Sequence, residues 1–155
     1  MVRTGTVAPS LSCRVCGCDL LVSGQPGLVV LCSRRSLDAL LHYEDVYWAC
    51  KGTCDRKLRH RARQAGLHDA WTDILDLKIP HIFLTWAIDL SNKLRSGVTF
   101  ADTAFEDLKI VFAALFPHVA RDMSPDEEGR LRELLEEPLR RGLASPRRLL
   151  YLVRG

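Results

Sequence analysis

The spacing of apolar residues changes at Cys54. Before it, short apolar runs are broken by turn-forming residues. Asp19 to Val22 and Gly27 to Cys32 predict two strands, joined through Ser23-Gly24-Gln25-Pro26-Gly27, whose Pro-Gly pair suits a type II turn. Ser36 to His42 reads as a short helix or an irregular turn, and Val46-Tyr47-Trp48-Ala49, rich in β-formers, as a further strand that delivers Cys50. From Cys54 the period is helical. Cys54, Leu58, Ala62 and Ala65 form one stripe, Arg56, Arg59, His60 and Arg63 fall opposite, and Gly66 ends the helix.

Beyond Gly66 the pattern predicts helices alone. Leu67 to Leu77 places Ala70, Trp71, Ile74 and Leu75 on one side and stops before Pro80. His81 to Arg95 carries Ile82, Phe83, Trp86, Ala87, Leu90 and Leu94 at helical spacing, with Gly97 just past its end. Thr99 is read as the cap of a helix reaching Phe116, whose wide stripe from Phe100 through Phe105, Leu108, Val111 and Phe112 to Leu115 marks the centre of the core. Ser124-Pro125-Asp126-Glu127 joins an N-cap, an N1 proline and an N3 glutamate, and Pro138 ends the helix it starts. Ser145-Pro146 opens a last short one. The fold class expected is α+β, mostly α: a small zinc-bound β-hairpin module over residues 1–66 and a helical body of four or five helices over 67–155.

Composition supports a packed chain. At 155 residues, 47% apolar and 26% charged, it is long enough to bury a core and too apolar to stay disordered. The longest apolar runs fall short of the ~18 residues a spanning helix needs, and Met1 to Ser12 lacks the apolar run of a secretion signal. A cytoplasmic location without membrane contact is therefore expected.

All six cysteines lie before residue 55. In a reducing compartment they point to metal or redox chemistry before disulfides. Cys13-x2-Cys16, followed after 33 residues by Cys50-x3-Cys54, has the spacing of two ligand pairs for one tetrahedral zinc. The second pair sits at a predicted helix N-terminus, where free N–H groups favour a thiolate. Cys18 is an alternative to Cys13 or Cys16. A thioredoxin-like pair would need a βαβ context, ferredoxin spacing is absent, and Cys32 reads as a small buried apolar residue. Knuckle, hairpin and ligand-bearing helix in that order resemble the treble-clef group of zinc modules, with zinc ribbons the near alternative. The resemblance implies a fold more than a job. Some treble clefs are histidine-containing nucleases, but His42 is the sole histidine before Cys50 here. Four cysteine ligands also leave no open position for a water, which disfavours a catalytic zinc.

Charge divides with the pattern. Up to Gly66 there are ten Lys/Arg against five Asp/Glu, a balance of +5, and beyond it twelve against fourteen, a balance of −2. Lys51, Arg56, Lys57, Arg59, Arg61 and Arg63 lie within thirteen residues, opposed only by Asp55. Such a stripe can neutralise phosphates, although a solvated helix face has the same composition. A second cluster, Arg140, Arg141, Arg147, Arg148 and Arg154, follows Pro138. Asp69, Asp73 and Asp76 read as structural acids, and the histidines make no ligand-spaced pair. No nucleophile with its base is identifiable. The leading expectation is a non-catalytic, zinc-stabilised protein contacting nucleic acid through Lys51, Arg56, Lys57, Arg59 and Arg63. Its rival is an adaptor or inhibitor with a protein partner, and a divergent zinc nuclease stands third.

Overall fold

A computed structural model describes residues 10–22, 24–35, 37, 40–130 and 133. Two long strands, β1 (Gly27–Arg35) and β2 (Leu41–Cys50), lead into helix α1 (Thr53–Gln64). Strand β3 (His68–Asp73), a single turn α2 (Ile74–Leu77), helix α3 (Pro80–Arg95), a two-residue strand β4 (Thr99–Phe100) and helix α4 (Asp102–Asp122) follow, and 125–130 are helical. The class is α+β, as expected. The strands form one sheet in the order β3-β1-β2-β4, with β1 antiparallel to both neighbours and β4 parallel to β2.

Strand β1 is buried without a break from Gly27 to Ser33. A strand covered on both faces loses the alternation that marks a half-exposed one. Its hairpin partner is β2, from Gly27↔Cys50 to Arg35↔Leu41, with a bulge that leaves Glu44 unopposed. This corrects the expected pairing of Asp19–Val22 with Gly27–Cys32. Asp19 makes one isolated bridge to Ser12, and its carboxylate accepts the Leu21 N–H at 2.9 Å, closing a turn that buries Leu20 and Leu21 side by side. Leu41 and His42 likewise belong to β2 and not to a helix.

The segment Leu67–Leu77 is also corrected: it is mainly strand. Its helical spacing was not a burial pattern, for Ala70, Trp71 and Leu75 are exposed while Ile74 and Leu77 are fully buried. The buried β1 backbone needs hydrogen-bond partners along its second edge, and β3 supplies them from Leu28↔Asp73 to Ser33↔His68. Because β3 and β4 lie beyond Gly66, the sheet runs across that position, and one hydrophobic cluster extends from Leu11 to Val119.

The two main helices follow their apolar periods. Pro80 starts α3 at its first positions, and Phe83, Ala87 and Leu90 are buried. Helix α4 begins at Asp102, because Thr99 joins β4 and sets its hydroxyl 2.7 Å from His42 Nδ1. It continues through Pro117 to Asp122 and buries Phe105, Leu108, Val111, Phe112 and Leu115. Phe112 packs edge-on against Phe83 and stacked against Trp86, with ring centroids 5.3 and 5.1 Å apart. The Ser124 start is a reciprocal capping box: Ser124 N–H donates to Glu127 Oε2 at 3.0 Å, and Glu127 N–H to Ser124 Oγ at 3.2 Å. The end of that helix at Pro138, the Ser145-Pro146 start and the second arginine cluster lie outside the described residues. Among the described residues no helix is long and apolar enough to cross a membrane.

Candidate metal centre and basic helix

Three elements bring the cysteines together. The loop carrying Cys13 and Cys16 docks on the open edge of β2, where Arg14 N–H donates to the Trp48 carbonyl at 3.2 Å and Trp48 Nε1–H to the Ser12 carbonyl at 2.9 Å. Within the loop, Gly17 N–H returns to the Cys13 carbonyl and Cys13 N–H to the Cys18 carbonyl, at 2.9 and 2.8 Å. That closure puts Gly17 at φ 76°, a left-handed conformation open to glycine. Cys50 ends β2 opposite Gly27, and Cys54 lies in the first turn of α1. Between them Gly52 turns the chain at φ 104° and offers its carbonyl to Arg56 N–H at 2.9 Å, starting the helix.

The Sγ atoms of Cys13, Cys16, Cys50 and Cys54 all lie within 4.8 Å of one another. A metal–sulfur bond near 2.3 Å in a tetrahedron separates sulfurs by about 3.8 Å, and Cys16 and Cys50 are 3.6 Å apart. Cys18 Sγ is 2.9 Å from Cys50 Sγ but is not one of the four mutually close sulfurs. The sequence offers Cys18 as an alternative ligand, and the geometry sets it beside Cys50 and Cys16, outside the four mutually close sulfurs. Cys32 is fully buried on β1, away from the centre.

The electrostatics of the cluster suit a cation. Burial raises the Cys13 pKa, yet donation from the N–H groups of Cys16, Cys50 and Val15 outweighs it and brings it down to about 6. The Cys18 backbone N–H does the same for Cys16, lowering it. Cys50 is pushed up, first by its hydrogen bond with Cys18 and then by burial, and Cys54 is raised by burial before its sulfur neighbours. Sulfurs this close cannot all carry charge unless a cation lies between them. The donor set therefore fits a soft, four-coordinate ion, and the four cysteines can hold one. Four protein ligands fill such an ion's coordination, and no histidine belongs to the group.

The basic residues divide by environment. Arg59 turns inward: its Nη2 lies 2.7 Å from Asp55 Oδ2 and its Nε 3.3 Å from Asp69 Oδ2. Asp55 is buried and also accepts the Tyr47 hydroxyl at 3.2 Å, so β2, α1 and β3 share one polar network. Arg63 Nε approaches Asp69 at 3.6 Å with most of its side chain in solvent, and Lys51 Nζ approaches Asp73 at 3.5 Å. Arg56, Lys57 and Arg61 are exposed on α1 and form no ion pair among the described residues. Sequence spacing put Arg59 with the outer residues because nothing in it placed Asp69 opposite. Gly52 between the two cysteines of Cys50-Lys51-Gly52-Thr53-Cys54 is the sequence signal for the turn that joins β2 to α1.

No protein-family model, curated protein or solved structure matches this chain.

Proposed function

We propose that the protein is a non-catalytic nucleic-acid-binding protein whose four cysteines hold a structural zinc and whose α1 presents the basic surface. Zinc is the ion that best matches four thiolates at this spacing in a reducing compartment. The observation that carries the binding reading is the outer face of α1, where Arg56, Lys57 and Arg61 project into solvent on the helix that also supplies Cys54. A metal ligand at the helix start fixes the direction in which that face points, and arginines without an acidic partner among the described residues offer their charge to phosphate.

The test is salt dependence. Binding of duplex and single-stranded oligonucleotides is measured by fluorescence anisotropy over a range of salt, for the wild type and for a variant with Arg56, Lys57 and Arg61 changed to alanine. The variant should lose affinity, and the slope of log affinity against log salt should fall by about 0.7 to 0.9 for each phosphate contact removed. Equal binding by wild type and variant would sink the proposal. The rival reading, a protein adaptor, draws on Leu75 and Ile79, which stand exposed four residues apart after β3. A wild type that binds no oligonucleotide at low salt would favour it, with a pull-down from the native host as the next measurement.

A further inference from the structure

We infer that Trp71 is a stacking platform for an unpaired base, so that the nucleic acid bound is single-stranded; this rests on the binding reading above. Trp71 stands in the middle of β3, and Asp69, Trp71 and Asp73 alternate along the strand and so share a face. Asp69 meets Arg59 and Arg63 of α1, which places the helix on that same face. At the other end of the row Asp73 holds Lys51, at 3.5 Å, just before α1 begins. The two carboxylates thus station a cation on either side of the tryptophan, and Lys51 Nζ also lies 5.7 Å from the ring centroid.

The ring is half exposed, with Lys51 Nζ over it. Trp71 keeps 51% of its surface exposed, whereas Trp48 is buried and Trp86 is stacked on Phe112. Burial accounts for only half of this side chain, and Lys51 and Arg63, each held by a carboxylate of β3, flank the exposed half. An aromatic face flanked by such cations is the arrangement that binds single strands: cations follow the phosphates, and a base stacks on the ring. A duplex cannot use it, since its bases already stack on one another.

The experiment compares wild type, Trp71→Ala and Trp71→Phe on a short single-stranded oligodeoxynucleotide and on the duplex made with its complement, by anisotropy at low salt. Trp71→Ala should weaken single-strand binding by about 5- to 150-fold, the range for losing one stacked base. Trp71→Phe should recover most of that loss, and duplex affinity should change by less than about 2-fold. The salt slope should be the same for Trp71→Ala and wild type, because no phosphate contact is removed. Undiminished single-strand binding by Trp71→Ala, an equal loss on the duplex, or a phenylalanine variant as weak as the alanine one would overturn the inference while leaving the basic-helix reading in place. A wild type that binds neither strand nor duplex would overturn both and turn this patch toward a protein partner.

Discussion

Removing Arg59 should cost far more stability than removing Arg56, although the two sit three residues apart on one helix. In Arg59→Ala, Asp55 loses its ion pair at 2.7 Å and among the described residues keeps the Tyr47 hydroxyl, while Asp69 keeps Arg63 at 3.6 Å. The side chain of Asp55 is 4% exposed and that of Asp69 12%, so neither charge is returned to water when its partner goes. Breaking a buried pair in this way costs about 3–5 kcal/mol, and about 3 is the appropriate end because Arg59 is itself partly solvated. For a chain of this size that is a fall of about 6–12 °C in melting temperature. Arg56→Ala, on the outer face, should stay within about 0.5 kcal/mol of wild type. Urea and thermal unfolding followed by circular dichroism, with zinc kept in excess, measure both. A double variant, Asp55→Leu with Arg59→Leu, adds a second check, since removing both charges should cost less than removing one. Equal melting of Arg59→Ala and Arg56→Ala, or a double variant costing the sum of its parts, would refute the buried network.

Three further outcomes are expected. Protein purified without added metal should carry about one zinc per chain by elemental analysis; Cys16→Ser and Cys50→Ser should lose it, Cys18→Ser should keep it, and the reverse pattern would redraw the ligand set. Cys32, whose pKa burial pushes up to about 12 with help from Asp45, Asp69 and Asp55, should be alkylated only as fast as the protein unfolds. After chelation the other cysteines should label first by mass spectrometry, and equal rates would disprove its interior placement. Gly52→Ala should strain the backbone by about 1–3 kcal/mol and loosen metal retention in a chelator competition, because φ is 104° there although a Cβ would meet nothing within 4 Å. Gly24→Ala, equally uncrowded and without a positive φ, is the control that should change neither.

What could be read from the sequence was whatever depends on near neighbours. The cysteine pairs were legible because each pair is held by a single turn, and α3 and α4 because their apolar periods run for four turns or more. The Ser124 capping box is local as well. The sheet was harder to see. The central β1 is covered on both faces, so Leu28 to Cys32 show no alternation from which a partner could be chosen. The edge strand β3 is mostly polar, and its few apolar residues happened to fit a helix. What makes β3 a strand is the open edge of β1, some forty residues earlier, and no window around Trp71 contains that edge.

The same long-range contacts decide how much of the helix charge is free to bind. Six basic residues crowd positions 51–63, and a count from composition would assign six phosphate contacts. Asp55 and Asp69 draw Arg59 inward, Asp69 also attracts Arg63, and Asp73 holds Lys51. Among the described residues, Arg56, Lys57 and Arg61 are the members of this run with no acidic partner to give up before meeting a ligand. On a single strand six contacts would give a salt slope of about −4, and three would give about −2. A slope near −2 would mean that the Asp69 and Asp73 pairs persist in the complex, leaving Lys51 and Arg63 to flank Trp71. A slope near −4 would mean that the strand pulls those residues, and even the inward-facing Arg59, off their carboxylates, at the cost of the network that ties α1 to the sheet.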